Sequence, residues 1–320
     1  RFGLSYAISG IVAIGFILSY GVLTGLNGAC LRAIIMMIVS IVGSIIGRSY
    51  DMLTAMSLAG IIMIMFNGYK LTDPGFLLSF GAIAGISIVN PILSGAGTKK
   101  HIKRKKLKKK YEHTFKGFLI GKGLKLIDGL MVSVSVQLVT LPIILYFYYK
   151  TSVYGTFLNI LVIPLMAVLM FFAIISGVVG LVNIYIAKVL IFPSYIILVV
   201  FEKLARLVSR IPANSLKSGH ICVGWIVVYY IMLGVLLLFV YKKKNLRAIY
   251  PIGVVIGLSM IMTVLRPMRI VMMDAGQGDA LYVRTKEGIN LLIDGGSSSN
   301  ASLGEYVMTP TLDYFGVNTI

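Results

Sequence analysis

The residue types able to do chemistry are sparse in this chain, and they sit where they are costly. Arg32, Arg48, Asp51, Asp73, Asp128, Gln137, Asn159 and Asn183 all fall inside or at the ends of long apolar runs. Hydrocarbon penalises such groups. Each has an ordinary reading as a snorkelling end, a helix cap or a helix–helix hydrogen bond. The alternative is a polar lining for a solute that lipid excludes. Gln137 lies mid-run with Ser133, Ser135 and Thr140 nearby, and Ser133 stands one helical turn from it on the same face. A second cluster is the string Asp274-Ala275-Gly276-Gln277-Gly278-Asp279-Ala280. Its glycines permit positive φ at a tight turn, and its aspartates flank that turn at strand ends, so on physics alone it reads as a hairpin. Asp294-Gly295-Gly296 is similar: an apolar strand delivers a carboxylate to a sheet edge, either to orient a metal's ligands or to cap a turn.

Other chemistries lack their parts. His101, His113 and His220 have no zinc spacing, and Cys30 and Cys222 form no metal pattern. The cysteines read as buried free thiols; topology permits a disulfide between them, but none is expected. There is no Gly-rich loop ending in Lys-Ser/Thr and no nucleophile elbow. No metal site and no complete catalytic set are expected in this chain.

The elements that must position these residues follow from composition. The 320 residues are 58% hydrophobic and only 13% charged. Soluble domains carry about 25% charge, so a water-soluble globule could not cover its surface. Disorder, collagen and a disulfide-stapled scaffold are excluded as well. Long apolar runs without period-two alternation predict an all-α polytopic membrane bundle. Spans are expected at Leu4–Leu26, Ala29–Arg48, Asp51–Asn67, Phe76–Leu93, Gly129–Tyr149, Phe157–Val182, Ile221–Tyr241 and Ile249–Leu265, with a weaker one at Tyr185–Phe201. The expected membrane domain is 1–265, with eight or nine spans, and a soluble stub covers 266–320. The chain opens at Arg1 directly before a span and ends at Ile320 in mid-pattern, so it reads as a piece cut at both ends.

Net charge is +19. Nine Lys/Arg lie between Lys99 and Lys110, within an expected cytoplasmic loop 98–117, and four between Lys242 and Arg247. Both runs should stay cytoplasmic, which demands an even number of crossings between them and favours a crossing at Tyr185–Phe201. Lys203, Arg206, Arg210 and Lys217 then fall outside, on a helix in the outer interface whose Leu204, Leu207, Val208 and Ile211 share one side. The stub after Arg266 is expected to be extracytoplasmic. The Lys99–Lys110 run reads most simply as a topology anchor. It could also bind anionic lipid or phosphate by counterion release; no aromatic residue interleaves it for base stacking.

Glycine pairs at four-residue spacing (Gly21/Gly25, Gly43/Gly47, Gly81/Gly85, Gly253/Gly257) would let helices approach closely. The stub predicts three strands, Arg269–Asp274, Ala280–Thr285 and Asn290–Asp294, joined by two close turns into an antiparallel meander.

Six strings in order resemble the ComEC family of DNA-internalisation competence proteins of naturally transformable bacteria. They are Tyr20-Gly21-Val22-Leu23-Thr24-Gly25 with Leu31-Arg32-Ala33-Ile34-Ile35-Met36; Gly47-Arg48-Ser49-Tyr50-Asp51; Asp73-Pro74-Gly75-Phe76-Leu77-Leu78-Ser79-Phe80; Gln137-Leu138-Val139-Thr140-Leu141-Pro142; Asn159-Ile160-Leu161-Val162-Ile163-Pro164; and the glycine turn with Leu292-Ile293-Asp294-Gly295-Gly296. Leu77 stands where the family usually has Gln, and Ala275 where it usually has Val. The resemblance implies a multi-pass protein of the bacterial cytoplasmic membrane that forms the passage for single-stranded DNA during transformation. Arg32, Arg48, Asp51, Asp73, Ser79, Ser133, Gln137, Thr140 and Asn159 become candidates for the strand's path. The implied partners are single-stranded DNA, membrane lipids, a cytoplasmic helicase-like ATPase as motor and an outer DNA receptor, with room for a homo-oligomer. The stub resembles the start of an α/β metallo-β-lactamase-like domain, with its turn at Asp274, Gly276, Gln277, Gly278 and Asp279. The family's H-x-H-x-D-H motif would follow Ile320. Its divalent metal, zinc or manganese, and any hydrolysis of the non-entering strand belong to that following part, leaving Asp294 an orienting role. A small-solute permease and a membrane scaffold, each with an appended soluble domain, are the rival classes.

Overall fold

The computed structural model describes residues 6–49, 51–94, 115–152, 154–211, 215–243, 267–299 and 302–320. The expected span Ile249–Leu265, the Gly253/Gly257 pair, the Lys99–Lys110 run and the basic residues after Lys243 lie outside the described residues. The chain divides into two compact units, one of residues Arg1–Ala96 with Ser135–Ile143 and one of Gly97–Val134 with Ile144–Ile320.

The first unit holds α1 (Tyr6–Leu23), α2 (Gly28–Ile45), α3 (Met52–Phe66), a 3₁₀ turn (Gly68–Thr72), α4 (Pro74–Leu93) and a segment of α5 (Phe115–Tyr148). Local chemistry sets the boundaries. Gly25 (φ 74°) and Leu26 (φ 50°) reverse the chain between α1 and α2, and Gly47 (φ 78°) follows α2. The Asp51 carboxylate caps α3 at Thr54 N (2.8 Å), and the Asp73 carboxylate caps α4 at Phe76 N (3.1 Å), with Pro74 as its first residue. Both satisfy orphan amides that lipid could not. Within α4, Gly85–Val89 form one π turn and the Asn90 amide reaches back to Gly85 O. Pro91 explains it: a proline lacks an N–H, and its ring collides with the carbonyl four residues earlier, so the helix widens by one residue just before it.

The glycines divide the helix contacts. At Gly85 a Cβ would lie 2.8 Å from Ser135 O and 2.9 Å from Val136 Cα, while at Gly81 it would meet Ile143, Thr140 and Val139 at 3.4–3.6 Å. Gly81/Gly85 is therefore a true close-approach pair between α4 and α5. Gly21 packs against Ile34, but its partner Gly25 is a turn residue; Gly43 has little against it and Gly47 is a turn residue. In these two pairs the second glycine, Gly25 or Gly47, supplies positive φ at a turn instead.

In the second unit, α6 (Gly155–Gly180) and α7 (Ile184–Ser209) form an antiparallel hairpin turned by Leu181–Asn183. Asn183 Oδ1 accepts from the Tyr185 and Ile186 amides, Ser176 donates to Ala187 O (2.8 Å) and Ser194 donates to Leu169 O (2.9 Å). Two three-residue strands, β1 (Lys150–Ser152) before α6 and β2 (Ser215–Lys217) after α7, pair antiparallel. The two ends of the hairpin thus lie together at one side. α7 is continuous through the basic residues, so the separate interfacial helix expected there is corrected. Lys203 and Arg206 ride on the last turns of a 26-residue helix. At about 1.5 Å per residue it outruns the hydrocarbon by about two turns. Arg210 is its C-cap and Lys217 lies in β2. α8 (Val223–Lys243) follows.

Beyond it, β3 (Arg269–Met272), β4 (Leu281–Arg284) and β5 (Asn290–Ile293) make the expected antiparallel meander in order β3-β4-β5. Sequence reasoning left the residues after Asp294 without an element. They form a π turn (Gly304–Met308) and a short helix, α9 (Thr309–Tyr314), which close a core of Met273, Ala275, Ala280, Tyr282, Leu303 and Val317. A mostly helical chain with a small C-terminal meander is the fold class expected. Among the described residues six helices are long and apolar enough to cross a membrane, and α1 and α3 carry shorter apolar stretches, Ile8–Leu23 and Met52–Phe66.

Gly85→Ala should push α4 and α5 apart and destabilise the protein by about 1–3 kcal/mol. Gly177→Ala, where a Cβ meets nothing within 4 Å, should be neutral or stabilise by up to about 1 kcal/mol. Thermal unfolding in detergent checks the contrast; equal Tm values would remove the close-approach assignment.

Candidate functional site

Of the polar residues singled out in the spans, Arg32 is held most completely. It lies in the first turns of α2 with only 4% of its surface exposed. Its Nη2 donates to Gly75 O at 2.9 Å and to Ser79 Oγ, and Ser79 in turn donates to Gly75 O at 2.9 Å. The guanidinium stands 6.0 Å from the Phe76 ring centroid. The Asp73 capping carboxylate attracts it through space. Three sequence candidates, Arg32, Asp73 and Ser79, therefore converge where α2 and α4 begin. A charge so placed is costly unless hydrogen-bonded, and the backbone of the first turn of α4 is shaped to receive it.

The other candidates do not join that cluster. Arg48 is exposed just past α2. Asp51 holds Thr54 N and Thr54 Oγ1 (2.6 Å) as a helix cap. On α5, Ser133 is buried with no partner for its hydroxyl among the described residues, Thr140 donates to Val136 O, and Gln137 is half-buried. Asn159 is exposed on α6. Cys30 and Cys222 are free thiols but not the buried ones expected: Cys30 is half-buried, its Sγ 3.1 Å from Thr24 Oγ1, and Cys222 is exposed.

In the stub, the glycine string makes its turn. Gly276 has φ 69°, and a Cβ on Gly278 would overlap Gly296 O. The Asp274 carboxylate accepts from Gly276 N, while exposed Asp279 stands on the other side of the turn. Gln277 is tied to the Ser297–Ser299 loop: its amide donates to Ser299 Oγ and its carbonyl accepts from Ser298 N. Asp294 adopts φ 55° and turns its carboxylate onto the Gly295 and Gly296 amides at 2.6 and 3.0 Å. Hydrogen bonds from Gly296 and then Gly295 hold that carboxyl below the usual carboxylate range. This is the turn-cap geometry. Among the described residues no three His, Cys, Asp or Glu converge on a metal position, and both amide bonds to Asp294 fall on its Oδ1.

A second cluster was invisible to sequence reasoning. Asp313 on α9 is buried and receives Lys150 Nζ at 2.7 Å and Lys217 Nζ at 2.8 Å, one lysine from each strand of the β1–β2 ribbon. Beside it the His220 ring stacks on Tyr314 at 4.9 Å, the His220 amide donates to Tyr314 O (2.8 Å), and Tyr149 meets Tyr314 edge-on. Gly219 (φ 72°) lets the chain pass 3.0 Å from Tyr314 O, measured from the Cβ it lacks. The stub is thus clamped onto the two segments that follow α5 and α7. Burial pushes the Asp313 carboxyl up, but hydrogen bonds and charge from Lys150 and Lys217 outweigh it, so it titrates below the usual range. The only earlier hint was a lone Lys on either side of span-length runs.

Because the folded carboxyl titrates below its unfolded value, the clamp contributes fully above about pH 4 and is lost as pH falls through the lowered value. Asp313→Asn should cost about 1–3 kcal/mol and raise hydrogen exchange across 303–317 at neutral pH. Wild-type protein should reach that exchange only in acid. Equal protection in both proteins at neutral pH would show that the ion pairs do not hold the stub.

Comparison with known proteins places these clusters. The chain is 24% identical over 340 aligned positions to ComE operon protein 3 of Bacillus subtilis (strain 168), a match covering all of this chain and 40% of that protein. The chain therefore spans about two-fifths of the length of the curated relative it matches. No solved structure matches it. Residues 1–243, which include α1 to α8, the Arg32 cluster and both clamp lysines, match the family described as competence protein. With more than half its length inside that match and six membrane-length helices, the chain is a multi-pass membrane protein that belongs to the competence protein family.

Proposed function

We propose that this chain provides the route by which single-stranded DNA crosses the cytoplasmic membrane during transformation. The observation that carries the reading is the buried Arg32, held by Gly75 O and Ser79 inside a competence-family bundle. A polyanion crosses about 30 Å of hydrocarbon only along a protein-lined polar path, and a fixed guanidinium is the group that complements phosphate. Ser133, Gln137 and Thr140 on α5 add polar surface to such a path. Family membership favours this reading over a small-solute permease or a scaffold.

The clamp supports an outward stub. Positive-inside bias puts the run before α5 and the run after α8 in the cytoplasm. The β1–β2 ribbon lies at the far end of α5 and at the start of α8, so whatever docks on it is extracytoplasmic. By the family resemblance, the part following Ile320 carries a metal-dependent activity on the non-entering strand, a cytoplasmic ATPase pulls, and an outer receptor delivers DNA.

Arg32→Met keeps the aliphatic bulk and removes the charge. Replacing a buried charge by an apolar residue is often neutral for stability, so the variant in the full-length protein should insert normally. Uptake of labelled DNA should fall at least about tenfold, the equivalent of one lost charge-assisted contact. Undiminished uptake by inserted protein would count against the route.

A further inference from the structure

Arg32 uses only one of its terminal nitrogens within the bundle. Nη2 is bonded to Gly75 O and Ser79, whereas Nη1 is buried with no hydrogen-bond partner among the described residues. What Nη1 faces is the bare backbone of Gly28. A Cβ on Gly28 would stand 3.6 Å from Arg32 Nη1, 3.7 Å from Lys70 Nζ and 3.9 Å from the Met63 methyl, which closes the recess on its third side. Two cations from different elements, α2 and the 3₁₀ turn, therefore converge on the space left by one absent side chain. Lys70 is half-buried, and among the described residues no carboxylate reaches either cation at ion-pair distance. The nearby Asp73 has its carboxylate engaged at the Phe76 amide. Gly28 also opens α2, whose first amides have no acceptor inside the helix, and Asn27 makes no side-chain cap to them.

Like charges in partly buried surroundings repel, and a buried guanidinium nitrogen without an acceptor is expensive. An anion with several acceptor oxygens relieves all these donors together and also offsets their charge. A tetrahedral phosphate does so, with one oxygen for Nη1, one for Nζ and one for the helix amides. The geometry points to a phosphodiester-binding site formed by Gly28, Arg32 and Lys70, which seats one backbone phosphate of the single strand where α2 and α4 begin. This deepens the proposed route and rests on it. Lys70, with no bond holding its ammonium among the described residues, is the movable wall that admits the phosphate to Nη1. Because Arg32 is turned into the bundle, the strand is favoured over a headgroup of the surrounding lipid.

The test uses the full-length protein in phosphatidylcholine nanodiscs and a fluorescent oligothymidylate titrated from low to physiological salt. Lys70→Gln leaves the described packing intact and should weaken binding about tenfold. It should also flatten the log–log salt slope by about 0.7, the value for one lost phosphate contact on a single strand. Gly28→Val, which fills the recess without changing charge, should weaken binding similarly, while Lys203→Gln on exposed α7 should not. An oligonucleotide with an uncharged methylphosphonate backbone should erase the difference between wild type and Lys70→Gln. Unchanged affinity and slope in Lys70→Gln, with wild type binding normally, overturns this site and leaves the route standing. Wild-type protein that binds no strand overturns both. Lys70-dependent retention of phosphatidylglycerol in native mass spectra, with strand binding unaltered, assigns the recess to lipid and overturns the proposal.

Discussion

Hydrocarbon offers no hydrogen bonds, and the bundle is organised around that deficit. Side chains just before the helices cap their first amides, as Asp51, Asp73 and Asn183 do. Several buried hydroxyls donate to backbone carbonyls, either their own helix's, as Thr140 does, or the neighbour's, as Ser176 and Ser194 do. Arg32 is the extreme case. Its charge is tolerable because the Gly75 carbonyl in the first turn of α4 and the Ser79 hydroxyl one turn on both accept from the guanidinium.

On the aqueous side the problem reverses, because water competes for every polar contact. A three-stranded meander is marginal alone, and its strands bury only one face. α9 covers that face through Leu312 and Phe315, then turns Asp313 and Tyr314 toward the β1–β2 ribbon. Two lysines on one buried carboxylate, with aromatic rings alongside, make a dock that is both charged and dry. Its weakness is acid rather than salt alone, since Asp313 is 4% exposed.

The spans were legible because length and apolar content suffice to define them, and the meander because two glycine turns bracket strands of clear character. Gly276 and Gly278 could be read from their type: a turn needing positive φ or a backbone approach admits little else. Less was legible where meaning depends on distant residues. The Gly21/Gly25 and Gly81/Gly85 pairs look alike in sequence, yet Gly25 supplies a turn and Gly85 a helix contact. Strands of three residues such as β1 and β2 carry no periodicity. Asp313 and Lys150 meet across a separation of 163 positions, and Lys70 looks like an ordinary loop lysine until Gly28 is placed beside it. Arg32 was recognised as costly, but nothing in its neighbourhood of sequence named Gly75 and Ser79 as its support.

The β1–β2 ribbon has a topological consequence. It ties together the two ends of the α6–α7 hairpin, so that this stretch is a closed handle whose integrity does not depend on the covalent link at its far tip. Leu181 and Val182 there are almost fully exposed, and only Asn183 does structural work. The tip is consequently the place where the polypeptide could be interrupted, or a reporter protein inserted, with both halves still finding each other through paired strands, interhelical serines and the carboxylate clamp.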